Sequence, residues 1–172
     1  MTAKIEHFDL DGSDALKAVF RNHASGIMAI TALDDDGNPI GFTASSVTSL
    51  GSNPPLVSLN IAQGSSSYPF MTKGKKVALH ALDADNLDLA TRLAGDKQQR
   101  FDGSETVGPF GLPIFDSAPA VLIAQIRERL EVDSNAVVIL DVLQAGAKDG
   151  TEPLVYFQRG YHTIGRRLKD NF

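Results

Sequence analysis

The chain of 172 residues contains no cysteine, which excludes disulfide staples, thiolate metal sites and a cysteine nucleophile. It has no lysine- or arginine-rich block, and 16 basic against 21 acidic residues leave a formal charge of −5. Nucleic-acid binders draw affinity from neutralised phosphates, so no nucleic-acid partner is expected. No apolar run approaches the roughly 20 residues of a membrane-spanning helix, and no membrane partner is expected either. The N-terminal MTAKIEHFDLDGSDAL lacks the apolar centre of a signal peptide, so the expected location is cytoplasmic. There is no Gly-x-Gly-x-x-Gly fingerprint, no Gly-x-Ser-x-Gly elbow and no paired-carboxylate motif. The histidines His7, His23, His80 and His162 have no zinc-type spacing, and Asp34–Asp36 read as a solvated hairpin tip. No metal is expected.

What is present is ordinary globular composition, 42% hydrophobic and 22% charged. The expected organisation is a polar lead-in over 1–12 and one domain over 13–172. Leu16, Val19 and Phe20 mark one face of a helix running from Asp14 to about His23. Strands are expected at Ile27–Leu33, Ile40–Ala44, Leu56–Ile61 and Lys76–Leu82, then at Ala120–Val132, Asn135–Leu143 and Pro153–Gln158. A turn is expected within 144–152, where Gly146 and Asp149-Gly150 fall. Short helices are expected at Pro69–Lys73 and Asn86–Leu93. Six or seven short strands with helices at two corners suit a small closed barrel better than an open sheet.

The segment Gly41–Asn60 is the chain's most informative stretch. Thr43, Ala44, Ser45, Ser46 and Thr48 bury little apolar surface but let backbone and hydroxyls approach a ligand closely. Asn53-Pro54-Pro55 then forces an extended turn. Ser65-Ser66-Ser67 precede Pro69, where two readings stay open: a helix cap on Ser67, or an anion site of hydroxyls and free N–H groups. The loop Ala94–Pro113, with four glycines and two prolines, carries Arg100-Phe101. Its guanidinium suits a phosphate and its ring either covers a ligand or anchors the loop. An arginine spent on a ligand is expected to matter little for stability.

The ordered set Gly41-Phe42-Thr43-Ala44-Ser45-Ser46, Thr48-Ser49-Leu50, Pro54-Pro55-Leu56-Val57, Ser65-Ser66-Ser67, Arg100-Phe101-Asp102-Gly103, Gly111-Leu112-Pro113, Pro153-Leu154-Val155-Tyr156 and Gly160-Tyr161-His162 resembles the flavin reductase family. The likeness spans about residues 14–165. It implies a mainly β FMN-binding split barrel, with six to seven antiparallel strands in Greek-key order and short flanking helices. It implies an NAD(P)H:flavin oxidoreductase whose flavin, FMN or FAD, is reduced by NADH or NADPH. The protein then only places the nicotinamide against the flavin, which fits the absence of a triad or acid pair. The implied flavin-binding positions are Phe42, Thr43, Ala44, Ser45, Ser46, Asn60, Ile61, Ala62, Ser65, Ser66, Ser67, Arg100 and Phe101. Ser65, Ser67 and Arg100 would lie at the phosphate, and His162 and Asn135 would be the catalytic pair. A homodimer and a partner monooxygenase receiving reduced flavin are implied as well. Two positions depart from the family pattern: Asp133-Ser134-Asn135 stands where many relatives have Gly-Asp-His, and His80 stands where many have asparagine. Asn135 cannot carry charge, which keeps open a flavin carrier or electron shuttle without nicotinamide turnover. A third reading is a split-barrel oxidase or deazaflavin-dependent reductase.

Overall fold

The computed structural model describes residues 8–165. His7, most of the expected lead-in, and Arg166 and Arg167 lie outside that range. The elements in order are α1 (Gly12–Phe20), β1 (Ser25–Gly26), β2 (Met28–Leu33), β3 (Pro39–Ala44), β4 (Thr48–Ser52), β5 (Pro55–Ala62) and β6 (Lys76–Ala81). Then follow α2 (Leu87–Ala94), β7 (Thr106–Val107), β8 (Pro113–Ile114), β9 (Ala120–Val132), β10 (Asn135–Ala147), β11 (Leu154–Phe157) and β12 (Gly160–Thr163). The protein is mainly β, as expected.

A seven-stranded antiparallel sheet runs β3-β2-β6-β9-β10-β5-β4. Its two edge strands, β3 and β4, are consecutive in the chain and joined only by residues 45–47. Such a link reaches at most about 14 Å, whereas a flat sheet of this strand number would be about 29 Å across. The sheet therefore rolls up, and the split of the barrel lies beside residues 44–48. Register shifts in the β9–β10 pairing near Leu140 and Val142 mark the bulges that help it bend.

Side-chain alternation decides what fills the roll. In β5 the sequence PLVSLNIA turns Val57, Leu59 and Ile61 inward, where they pack with Ile30, Leu79, Ile126, Val138 and Leu140. Strands β2 and β6 are buried on both faces and read as near-continuous apolar runs. Their outer faces are covered by α2, through Leu89, Ala90 and Leu93, and by the segment carrying Leu112, Ile114 and Phe115. A three-stranded sheet, β1-β11-β12, flanks the barrel.

Several local expectations change in the folded chain. The helix expected at Pro69–Lys73 is a 3₁₀ turn, Tyr68–Phe70. Met71 follows it directly into the barrel core, fully buried, which ends the turn before an α-helix can propagate. Strand β10 runs on through Gly146 to Ala147, because the first half of β9 offers Val121 and Ala120 as partners. Strands β1, β4, β7, β8 and β12 carry no apolar alternation of their own length and exist through pairing. Helix α1 ends at Phe20, and Leu16, Val19 and Phe20 stay exposed. Asp34–Asp36 close the β2–β3 turn: the Asp34 carboxylate accepts the N–H groups of Asp36 and Asn38 at 3.0 and 2.7 Å, while Gly37 takes φ +82°. The Asn38 side chain foremost among these donors holds the Asp34 carboxyl below its ordinary pKa.

Candidate functional site

At the split, the end of β3, residues 45–46, the end of β5 and the end of α2 enclose a cleft of about 370 Å3. Its walls are Phe42, Thr43, Ala44, Ser45 and Ser46, then Asn60, Ile61, Ala62 and Ser65, then Leu93, Ala94 and Arg100. These come from sequence positions far apart, and their meeting depends on the rolled sheet. The exposed Ser45 at its mouth is small and takes up little of the cleft's space.

The hydroxyls have distinct tasks. Thr43 donates to the carbonyl of Ala90 at 2.7 Å and ties β3 to α2. Ser46 takes the N–H of Asn60 at 3.0 Å and donates to its carbonyl at 3.2 Å, so it clasps the β3–β4 link onto β5. Ser45 makes no hydrogen bond among the described residues and is exposed. Ser65 accepts the N–H of Ser67 at 3.3 Å, leaving its own O–H to donate. Ser67 is buried, caps no helix, and points its hydroxyl to the carbonyl of Gly41 at 3.4 Å.

Arg100 stands at one end. Its Nη1 donates to the Gly41 carbonyl at 2.7 Å and to Ser66 Oγ at 3.2 Å. Its Nε and Nη2 both donate to the Gly95 carbonyl, at 3.1 and 3.0 Å, at the C-terminus of α2. A guanidinium has five N–H groups, so one N–H of Nη2 is left for a ligand. Arg100 is therefore a strut of the fold as well as a free cationic edge. Gly41 lets β3 pack closely at this point, because a Cβ there would stand 2.7 Å from the Ile30 carbonyl and 3.1 Å from the Phe101 ring.

Not every sequence-predicted residue reaches the cleft. Ser66, Ser67 and Phe101 line a separate cavity on the other side of Arg100, so Phe101 does not cover the cleft from this position. Its ring stacks on Phe115, with centroids 5.9 Å apart and planes 18° apart. Asn135 is exposed at the start of β10, opposite Ala62 in register, which sets it beside the cleft's β5 wall. His162 lies on β12, exposed, with Nε2 3.1 Å from the Phe157 carbonyl, and it does not line the cleft. Leu93, Ala94 and the carbonyls of Gly41 and Gly95 were not legible in advance: backbone acceptors carry no residue code, and α2 reads as a core-covering helix.

His80 is buried. Its Nε2 receives the N–H of Phe115 at 3.2 Å, and a backbone N–H can only donate. That bond fixes the neutral tautomer with Nδ1–H donating to the Ala29 carbonyl at 3.1 Å. Burial lowers its pKa to about 4. The imidazole thus pins Phe115, and through it Phe101, to the barrel. Among the described residues no group of three or more metal-ligating side chains occurs, and no helix is long and apolar enough to cross a membrane.

The family model of the flavin reductase like domain matches residues 20–165. A Rhizobium meliloti (strain 1021) protein whose name is that of a flavin reductase is 32% identical over 87% of this chain, which spans about half (48%) of that relative's length. The NADH:FMN oxidoreductase of Rhodococcus qingshengii is 32% identical over 85% of this chain and 79% of its own. Among solved structures, a flavin reductase domain protein from Arthrobacter sp. FB24 superposes with a TM-score of 0.84 at 34% identity, covering 92% of this chain and 98% of that one. A match of this extent, on a rolled sheet with a hydroxyl-lined split, establishes that the chain belongs to the flavin reductase like domain family.

Proposed function

We propose that the protein is an NAD(P)H:flavin oxidoreductase that binds FMN or FAD in the cleft at the barrel's split. The observation that carries this reading is the convergence of Thr43–Ser46, Asn60–Ala62, Ser65 and Arg100 on one cleft. The donor set fits a flavin. Ser45 offers a hydroxyl to the ring's polar edge, the exposed Ala62 and Ala94 give apolar surface to its face, and Ser65 with the remaining Arg100 N–H suits the phosphate. Bound flavin supplies the hydride acceptor, so the net reaction converts NAD(P)H, flavin and a proton into NAD(P)+ and reduced flavin.

The chain's own residues then bind and position. Ser46 and Thr43 hold the cleft's two walls at a fixed separation through their bonds to Asn60 and Ala90. Asn135, opposite Ala62 in register, would hydrogen-bond a nicotinamide entering over the β5 wall. His162 can take part only if a second copy, or a movement of β12, brings it to the cleft. The reading includes a homodimer, supported by the exposed apolar face of α1 (Leu16, Val19, Phe20), and release of reduced flavin to a separate monooxygenase.

Purified protein with added FMN should oxidise NADH or NADPH in air faster than free flavin alone. No flavin-dependent turnover with either nicotinamide sinks the enzyme. A tightly bound flavin that neither nicotinamide reduces supports the carrier instead, which the neutral Asn135 favours. A monomeric mass in light scattering with flavin bound contradicts the dimer.

A further inference from the structure

At the opposite end of β10 from Asn135, between the start of β9, the end of β10 and the segment around β8, lies a cavity of about 440 Å3. None of its lining residues belongs to the cleft. Ile114 and Ile123 form its buried floor, and the half-buried Pro119 and Val121 with the exposed Pro109 form apolar walls. Gly146 stands opposite Val121 in the β9–β10 ladder and so shares that face of the sheet. A Cβ at Gly146 would meet nothing within 4 Å, so the space over Val121 is left open by the missing side chain. The rim carries one charge of each sign, Asp116 and Lys148. Lys148 Nζ donates to the Asp116 backbone carbonyl, which holds the two residues side by side. Neither forms a salt bridge among the described residues, with each other or with a third group. The Asp116 carboxylate accepts the Thr106 hydroxyl on Oδ2 at 2.9 Å, and Oδ1 accepts nothing among the described residues.

We propose that this cavity is a second binding site, separate from the cleft, for a free apolar α-amino acid. An ammonium has three N–H donors and Lys148 spends one on the Asp116 carbonyl, so two remain for a carboxylate. Asp116 Oδ1 in turn accepts from an ammonium group. The two charges of a zwitterionic head thus each meet an opposite charge at the rim, while an apolar side chain enters between Pro119 and Val121 and takes the space left by Gly146. A plain carboxylate would leave the Asp116 charge facing its own, and a plain amine would do the same with Lys148. An uncharged apolar ligand leaves both charges unused. The volume suits one large side chain with its head group.

The test is calorimetric titration of the full chain with L-phenylalanine and L-leucine, and with two analogues of the first: 3-phenylpropionate, which lacks the ammonium, and phenethylamine, which lacks the carboxylate. At least one amino acid binds saturably, and each analogue binds roughly threefold to tenfold more weakly than phenylalanine, the scale of a charge-assisted contact at a solvated rim. Lys148→Gln keeps a donor for the Asp116 carbonyl; it weakens the amino acids by a similar factor and leaves phenethylamine unchanged. Asp116→Asn keeps an oxygen for Thr106; it weakens the amino acids and leaves 3-phenylpropionate unchanged. Gly146→Leu fills the space over Val121 and removes binding of every ligand, with the thermal melt showing that the variant still folds. No saturable binding of either amino acid overturns the site, as does binding that survives in a folded Gly146→Leu. A 3-phenylpropionate or phenethylamine that binds as tightly as phenylalanine, or amino-acid affinity indifferent to both rim variants, overturns the zwitterion assignment. No flavin enters these titrations, so their result is separate from that of the cleft.

Discussion

Arg100→Ala separates two tasks that share one guanidinium. In the fold, Arg100 bonds the carbonyls of Gly41 and Gly95 and the hydroxyl of Ser66. The Gly95 carbonyl lies at the C-terminal end of α2, where a cation also offsets the helix dipole. Hydrogen bonds involving a charged group contribute about 1.5–3 kcal/mol when shielded. Arg100 is only half-buried, and water replaces part of what is lost, so the net destabilisation is about 1–2 kcal/mol. In a chain of this length that lowers the melting temperature by roughly 3–6 °C. The expectation that a ligand-bound loop arginine leaves stability untouched is thus revised by its three backbone bonds. For the ligand, loss of the remaining charge-assisted contact weakens FMN by about tenfold to a hundredfold. Riboflavin lacks the phosphate and reports only the local disturbance of the cleft. The FMN-to-riboflavin ratio, measured by fluorescence quenching, isolates the phosphate contact, and a thermal melt reads the structural one. Arg100→Lys keeps charge without the fork and should recover more of the FMN affinity than of the melting temperature. Equal weakening of FMN and riboflavin removes Arg100 from the phosphate, and an unchanged melt refutes its role as a strut.

Other consequences follow from single contacts. Gly41→Ala drives a Cβ against the Ile30 carbonyl and the Phe101 ring and should cost about 1–3 kcal/mol, read as a lower urea midpoint; an unchanged midpoint means β3 can shift freely. His80 has a folded pKa of about 4, below the ordinary His value of 6.5, so the unfolded chain binds more protons between these values. Stability from this group is complete above about pH 6.5 and falls as pH drops toward 4, by about 3 kcal/mol in all. His80→Gln should flatten that part of the pH profile, and a wild-type slope in the variant refutes the assignment. Thr43→Val loses the bond to Ala90 and should destabilise by about 1 kcal/mol, with faster amide exchange in α2 than in β6; uniform exchange shows that α2 does not depend on that tie.

Much of the framework was written locally. Residues 28–33, 55–62 and 76–81 have the apolar continuity or alternation that makes a strand wherever the chain goes, and Leu89, Ala90 and Leu93 define a helix face in the same way. The small and hydroxyl residues of 43–46 announce a ligand-accepting surface because they contribute so little to a core. Short elements escape such reading. Strands β1 and β12, with few residues each, exist only through pairing with β11, and β10 extends past Gly146 only because β9 is there to receive it. The same limit applies to the site. That Arg100 and Ser65 share a cleft followed from the order of motifs. That Phe101 and Ser66 face the opposite side of Arg100 depends on which carbonyls the guanidinium finds, and those belong to Gly41 and Gly95, whose residue types reveal nothing of their role as acceptors. Residue type and periodicity determined the strands and the chemistry available to them. Packing of the rolled sheet decided which side of Arg100 each residue faces, because backbone acceptors and side-chain direction are set by contacts between segments distant in the chain.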